Sequence, residues 1–109
     1  PWGFHNLIID NKSYKEKILS INPTSQLSMQ KHQHREEHWI VVKGRGEVEV
    51  DGKIKALNTG EYIKIPKKSL HSVKNTSSEN MVIIEVQLGE ILKESDIERI
   101  SDLYGRVDE

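Results

Sequence analysis

From residue 37 to residue 88 the chain is a succession of short apolar runs, each closed by a turn signal. Residues 37–43 and 47–50 flank Gly44-Arg45-Gly46 and read as a hairpin, and Asp51-Gly52 turns the second run into 53–57. Asn58-Thr59-Gly60 leads into 61–65, Pro66 punctuates, and 71–75 follows. A polar loop over 76–80 then precedes 81–88, the most apolar run and the expected core strand. Upstream, 14–21 alternates charged and apolar residues as a strand does, Asn22-Pro23-Thr24-Ser25 turns it, and 26–34 reads as the next strand. Repeated short strands at hairpin spacing imply an all-β barrel or sandwich. After Gly89 the pattern changes. Ser95 with Glu98 three residues on carries N-cap chemistry, and Ile97, Ile100 and Tyr104 follow at helical spacing, so a short C-terminal helix is expected.

A chain of 109 residues supports one modest core, so 1–109 is taken as a single domain. Its formal net charge is -1 with no block of like charge, so the overall field favours neither nucleic acid nor an anionic membrane as partner. The lack of cysteine removes both a disulfide framework and a thiolate nucleophile, and fits a reducing compartment. No apolar run approaches the roughly 20 residues of a membrane span, and no signal-peptide pattern opens the chain. The cytoplasm is the expected location.

The densest chemistry lies in residues 30–39, which hold three of the five histidines and two carboxylates. On an extended strand Gln30, His32 and His34 project to one face, because side chains alternate with a period of two. The polar run 33–36 turns the chain, and Glu37 re-enters on the neighbouring strand. His71 comes much later, just after the turn-like Pro66-Lys67-Lys68-Ser69-Leu70. Two hairpins would deliver these side chains to one ion. Imidazole with carboxylate suits a borderline divalent cation, zinc first, with manganese, iron, cobalt and nickel as alternatives; the absence of thiols argues against a soft-metal or cluster site. A lone His-x-His pair also arises by chance among solvated edge-strand residues, so the weight rests on His71.

These residues carry a resemblance to the cupins. Gln30, His32, Glu37 and Gly44 match the spacing of the first cupin motif, with Gln30 where the first His usually stands. Gly60, Pro66, His71 and Asn75 match the second, with Lys68 in place of its inner Gly. The resemblance implies a single cupin barrel, a double-stranded β-helix or jelly roll. Within the cupins the chain is similar to the mannose-6-phosphate isomerase domain of type II phosphomannose isomerases, a module often fused behind a mannose-1-phosphate guanylyltransferase. The likeness runs through Pro1-Trp2-Gly3, Leu27-Ser28-Met29-Gln30 with His32, His34 and Arg35, Glu37-His38-Trp39, Ile84-Glu85-Val86-Gln87 and Tyr104-Gly105-Arg106.

That resemblance implies a metal set of Gln30, His32, Glu37 and His71, with a set using His34 open beside it. It implies interconversion of mannose 6-phosphate and fructose 6-phosphate, a proton shift between C1 and C2 through a cis-enediol. His34 is the first candidate for the base, having an ordinary pKa of about 6.5, with Glu85 and Glu61 as alternatives if their strand parity faces inward. Arg106 and Arg35 match family arginines and are expected on the substrate phosphate, with Lys67 and Lys68 in reserve. His38 is expected to face away from the metal. Trp2 and Phe4 are expected against the barrel exterior or a neighbouring subunit. A homodimer, and a guanylyltransferase domain upstream or separate, are the expected partners. The rival readings are a sugar- or sugar-phosphate-binding cupin without catalysis, and another metal-cupin enzyme such as a dioxygenase.

Overall fold

Alternation of buried and exposed side chains builds two antiparallel sheets. The computed structural model describes residues 2–10, 14–89, 92 and 98–101, the last four through their backbone. Among them every regular element is a strand: β1 (Gly3–Asp10), β2 (Tyr14–Ile21), β3 (Met29–Lys31), β4 (Arg35–Lys43), β5 (Arg45–Val50), β6 (Lys53–Asn58), β7 (Tyr62–Ile65), β8 (His71–Asn75), β9 (Met81–Gly89) and β10 (Glu98–Ser101). One sheet runs β1-β2-β9-β4-β7 and the other β10-β3-β8-β5-β6. No helix among the described residues is long and apolar enough to cross a membrane.

The inward positions divide along the strands into an apolar half and a polar half. On β4 the buried residues are Arg35, Glu37, Trp39 and Val41; on β9 they are Gln87, Glu85, Ile83 and Met81. Register pairs Glu37 with Gln87, Trp39 with Glu85 and Val41 with Ile83. Strand β2 joins in phase, with Lys17 opposite Glu85, Leu19 opposite Ile83 and Ile21 opposite Met81. Val48, Leu57, Ile65 and Val73 complete the apolar half. At its far end Asn75 is fully buried, and its amide donates to the carbonyls of Ile21 at 2.9 Å and Glu79 at 2.6 Å. The Asn position of the second motif is thus a structural clasp here, tying the end of β2 to the loop before β9.

Four expectations need correction. The runs either side of Gly44 do not form a hairpin, since β4 pairs with β7 and β9 while β5 pairs with β6 and β8. Gly44, at φ +78°, turns the chain from one sheet to the other, and a Cβ there would lie 2.8 Å from the Asn80 carbonyl oxygen. A Gly-Arg-Gly signal marks a reversal without stating which strands pair across it. Residues 98–101 of the expected C-terminal helix form β10, because pairing with the open edge of β3 outweighs local helix propensity in a short segment; the rest of that helix, like Arg106, lies outside the described residues. The strand expected over 26–34 is regular only at Met29–Lys31, so the chain bends at His32 to His34. Trp2 is buried in the core cluster, whereas Phe4 is exposed on β1, so only Phe4 faces outward as expected.

The turn over residues 66–70 positions the second motif against the first. The backbone N–H of Lys68 donates to the His32 carbonyl at 2.7 Å, tying the start of β8 to the bend after β3. Lys68 itself takes φ +65°, the left-handed conformation that the usual glycine adopts freely. Replacing Lys68 by Gly removes about 1 kcal/mol or more of backbone strain and returns part of it as unfolded-state entropy. Lys68→Gly is expected to raise the denaturant-unfolding free energy by about 0.5 kcal/mol, and an unchanged or lower midpoint would show that the lysine side chain contributes more than its backbone costs.

Candidate metal centre

Three elements converge at the polar end of the barrel. The bend after β3 supplies His32, β4 supplies Glu37 and the first residue of β8 supplies His71; all three are buried. One ligand atom from each lies within 4.8 Å of the others. The spacing of residues 32, 37 and 71 therefore does bring these side chains together. Gln30 lies directly opposite His71 in the β3–β8 register, and cross-strand partners project to the same face of a sheet.

The hydrogen bonds define which atoms face a cation. His71 Nδ1 donates to the Ser69 carbonyl at 3.1 Å, which leaves the lone pair on Nε2. That Nε2 is buried with no hydrogen-bond partner and stands 3.6 Å from Glu37 Oε1. Burial holds the His71 imidazole below its ordinary pKa, the Ser69 bond opposing more weakly, so the ring is neutral near pH 7. A neutral imidazole with an orphaned lone pair aimed at a buried carboxylate fits a divalent cation by donor chemistry. The His32 and His71 rings lie 5.1 Å apart between centroids, and Trp39 packs edge-on to His71.

Glu37 is the hub. Its Oε2 accepts from Arg35 Nε at 3.0 Å and lies 3.3 Å from His32 Nδ1, while its Oε1 accepts from Trp39 Nε1 at 3.1 Å. The same indole N–H reaches Glu85 Oε1 at 3.3 Å, and Gln87 Nε2 donates to Glu85 Oε2 at 3.3 Å. Burial, reinforced by the neighbouring Glu37 carboxylate, pushes Glu85 up to about 8, with Arg35 and Lys17 pulling the other way. Glu85 is therefore a protonated carboxylic acid in the neutral range, poised as an acid or a base.

The other sequence candidates separate clearly. His34 is exposed on the bend, not on an inward strand position, because the extended geometry that would align it with His32 ends at Lys31. Glu61 is exposed too, and its carboxylate accepts from the Asn58 backbone N–H at 2.6 Å, capping a turn. His38 faces outward as expected, bonded at 2.5 Å to both Tyr62 Oη and Glu36 Oε2. Lys68 is exposed on its turn. Arg35 is buried inside the centre, against His32 and Glu37. Residues missed by sequence reasoning are Trp39, Gln87, Lys17 and Ser69. Parity could have found three of them: Gln87 is in phase with Ile83, Lys17 with Leu19, and Trp39 with Glu37.

Residues 1–102 match the family described as Mannose-6-phosphate isomerase C-terminal. The chain belongs to this family. Relatives in it include the mannose-1-phosphate guanylyltransferase of Escherichia coli K12, 41% identical over 98% of this chain, and the alginate biosynthesis protein AlgA of Pseudomonas fluorescens, 42% identical over 97%. The chain spans 22% of the length of each. Among solved structures, a Klebsiella pneumoniae protein with a double-stranded β-helix domain superposes with a TM-score of 0.80 at 14% identity, covering 92% of this chain and 85% of that one. The cupin domain of Schizosaccharomyces pombe Cnp3 gives 0.76 at 13% identity, over 78% and 63%. At these identities the likeness establishes a cupin fold.

The protonated Glu85 makes a test in chelator-treated protein. Its proton is held by the folded chain but not by the unfolded chain between its ordinary value of 4.5 and about 8. Unfolding releases that proton, so this contribution to stability is complete below 4.5 and is lost as pH rises to about 8. Glu85→Gln is expected to flatten the decline in urea midpoint between pH 5 and pH 8; parallel profiles for the two proteins would contradict the assignment.

Proposed function

We propose that the chain is the isomerase module that interconverts mannose 6-phosphate and fructose 6-phosphate, with residues 1–109 acting as one cupin domain. The observation that carries this reading is the unpartnered, buried Nε2 of His71, facing Glu37 and His32 beside the protonated Glu85. Family membership supports the substrate class, and the geometry supports the chemistry.

A divalent ion held by His32, Glu37, His71 and Gln30, with zinc preferred to manganese, cobalt, nickel or iron, supplies Lewis-acid stabilisation of negative charge on a sugar oxygen. The chain's own residues do the rest. Glu85 exchanges a proton at its carboxyl, and its elevated pKa matches a group that must both take and return one near neutral pH. Trp39 Nε1, shared between Glu37 and Glu85, fixes the two carboxylates relative to each other. Gln87 holds the second oxygen of Glu85. This assigns proton transfer to Glu85 in preference to the exposed His34. Arg35 Nη1 is a buried donor without a partner, which supports an anionic group of the substrate close by. Arg106 remains the proposed second phosphate contact, with Lys68 at the mouth.

The same reading includes two associations. Strand β1 is an edge strand with Phe4, Leu7, Ile8 and Ile9 exposed, which supports pairing of two copies. The relatives named as guanylyltransferases are several times longer than this chain, which supports a guanylyltransferase partner in the same or a separate polypeptide.

Elemental analysis and an isomerase assay on wild type and His71→Ala test the central claim. The variant is expected to lose metal affinity by about 100-fold or more, since loss of an outer partner alone costs 10–100-fold, and to lose turnover with it. Full turnover with the metal gone would remove the mechanism. Metal-replete wild type that binds mannose 6-phosphate without converting it would instead support a binding cupin, and oxygen-dependent turnover a dioxygenase.

A further inference from the structure

One lone pair in the centre has two claimants. Arg35 Nη2 lies 2.7 Å from His32 Nε2, both side chains being buried. A guanidinium only donates, so Nε2 must be the unprotonated nitrogen and the ring proton must sit on Nδ1. There it meets Glu37 Oε2 at 3.3 Å. A cation on Nε2 would take the lone pair that Arg35 covers, and a cation on Nδ1, the nitrogen facing Glu37, would leave the ring proton on Nε2 against the guanidinium. Arg35 also engages Glu37 Oε2 through Nε and Nη2, each at 3.0 Å. It thus holds two of the three groups that a metal ion would use, leaving only His71 Nε2 unsatisfied.

We propose that Arg35 is an endogenous place-holder for the metal: its guanidinium occupies the centre when the ion is absent and must release His32 when the ion enters. The proposal rests on the reading of His32, Glu37 and His71 as metal ligands. Its physical basis is that two carboxyl groups buried side by side, Glu37 and Glu85, are costly without a cation nearby. Arg35 supplies that charge from within the chain. The two states exclude each other because a neutral imidazole has one lone pair available between its two nitrogens, and because a divalent cation repels a guanidinium held at hydrogen-bond distance from its own ligands. The sequence neighbourhood suits an exchange. Arg35 is the first residue of β4, next to the bend at 32–34, so its side chain can turn without moving the Glu37 backbone deeper in the strand.

Zinc affinity of the 109-residue chain, measured by competition with a chromophoric chelator, tests this in wild type and Arg35→Met. The methionine keeps an apolar stem of similar reach and removes the competing donors. Zinc is expected to bind Arg35→Met at least tenfold more tightly than wild type. Equal or weaker binding by the variant, with wild type still binding, would overturn the place-holder while leaving the metal centre intact; the weaker case would make Arg35 a supporter of a metal-bound His32. Absence of zinc binding in both proteins would overturn the metal centre and the proposal together. If Arg35→Met does not fold, the Arg35 Nε–Hε resonance of the 15N-labelled wild type gives the answer. It is expected to shift and lose its protection from solvent exchange as one equivalent of zinc is added, and an unchanged resonance at saturation overturns the proposal.

Discussion

The antiparallel register of β9 against β4 and β2 is the constraint on which everything else depends. Side chains on a strand alternate with period two, so a slip of one residue would carry Glu37 and Glu85 to solvent and bring His38 and Val86 inside. The actual register sets Trp39 opposite Glu85 and Lys17 opposite Glu85 on the other flank, so one carboxylate is bracketed by an indole N–H and a buried ammonium. Below that layer the partners are aliphatic: Val41, Ile83, Leu19 and the residues of the apolar half. These apolar layers hold the register by burial, since exposing them would forfeit about 25 cal/mol for each Å² returned to water. The precision of the polar end is a consequence of hydrophobic packing at the other.

The polar end is a balanced set of charges. Lys17, Arg35, Glu37 and Glu85 are all buried there. Two cations and two anions would neutralise each other if all were charged, yet Glu85 is pushed toward its neutral form by burial and by Glu37. In the proposed reading, two chemically similar side chains, Glu37 and Glu85, take different work from their surroundings alone.

Much of this was legible in the sequence, for reasons that can be named residue by residue. The strands at 14–21, 53–57, 61–65, 71–75 and 81–88 were visible because period-two patterning and turn residues act locally. His32, Glu37 and His71 stood out because few residue types bind metals and their spacing matched a known pair of motifs. The direction of Arg35 was not legible: an arginine at the start of a strand reads the same whether it reaches out to solvent or folds back on its neighbours. His34 was misplaced because strand parity was carried through a bend that begins at His32. Gly44 announced a reversal but not that it crosses between sheets, and the helical spacing near Ile97 competed with a pairing partner some seventy residues upstream. In each case the missing information was tertiary.

That distant pairing bears on the centre itself. Strand β3 has three residues, and its register with β8 rests on one pair, Gln30 with His71. A strand so short has little to hold it in place on one side alone. Strand β10 supplies the second side, setting Glu98 opposite Lys31, Arg99 opposite Gln30 and Ser101 opposite Met29. Gln30, the position where this chain departs from the usual histidine, is thereby clamped between His71 and Arg99 along the sheet. An amide is a weaker donor to a metal than an imidazole and gains more from being held in place than from its basicity. Strand β10 bears on the proposed site for that reason: its backbone flanks the strand that presents Gln30.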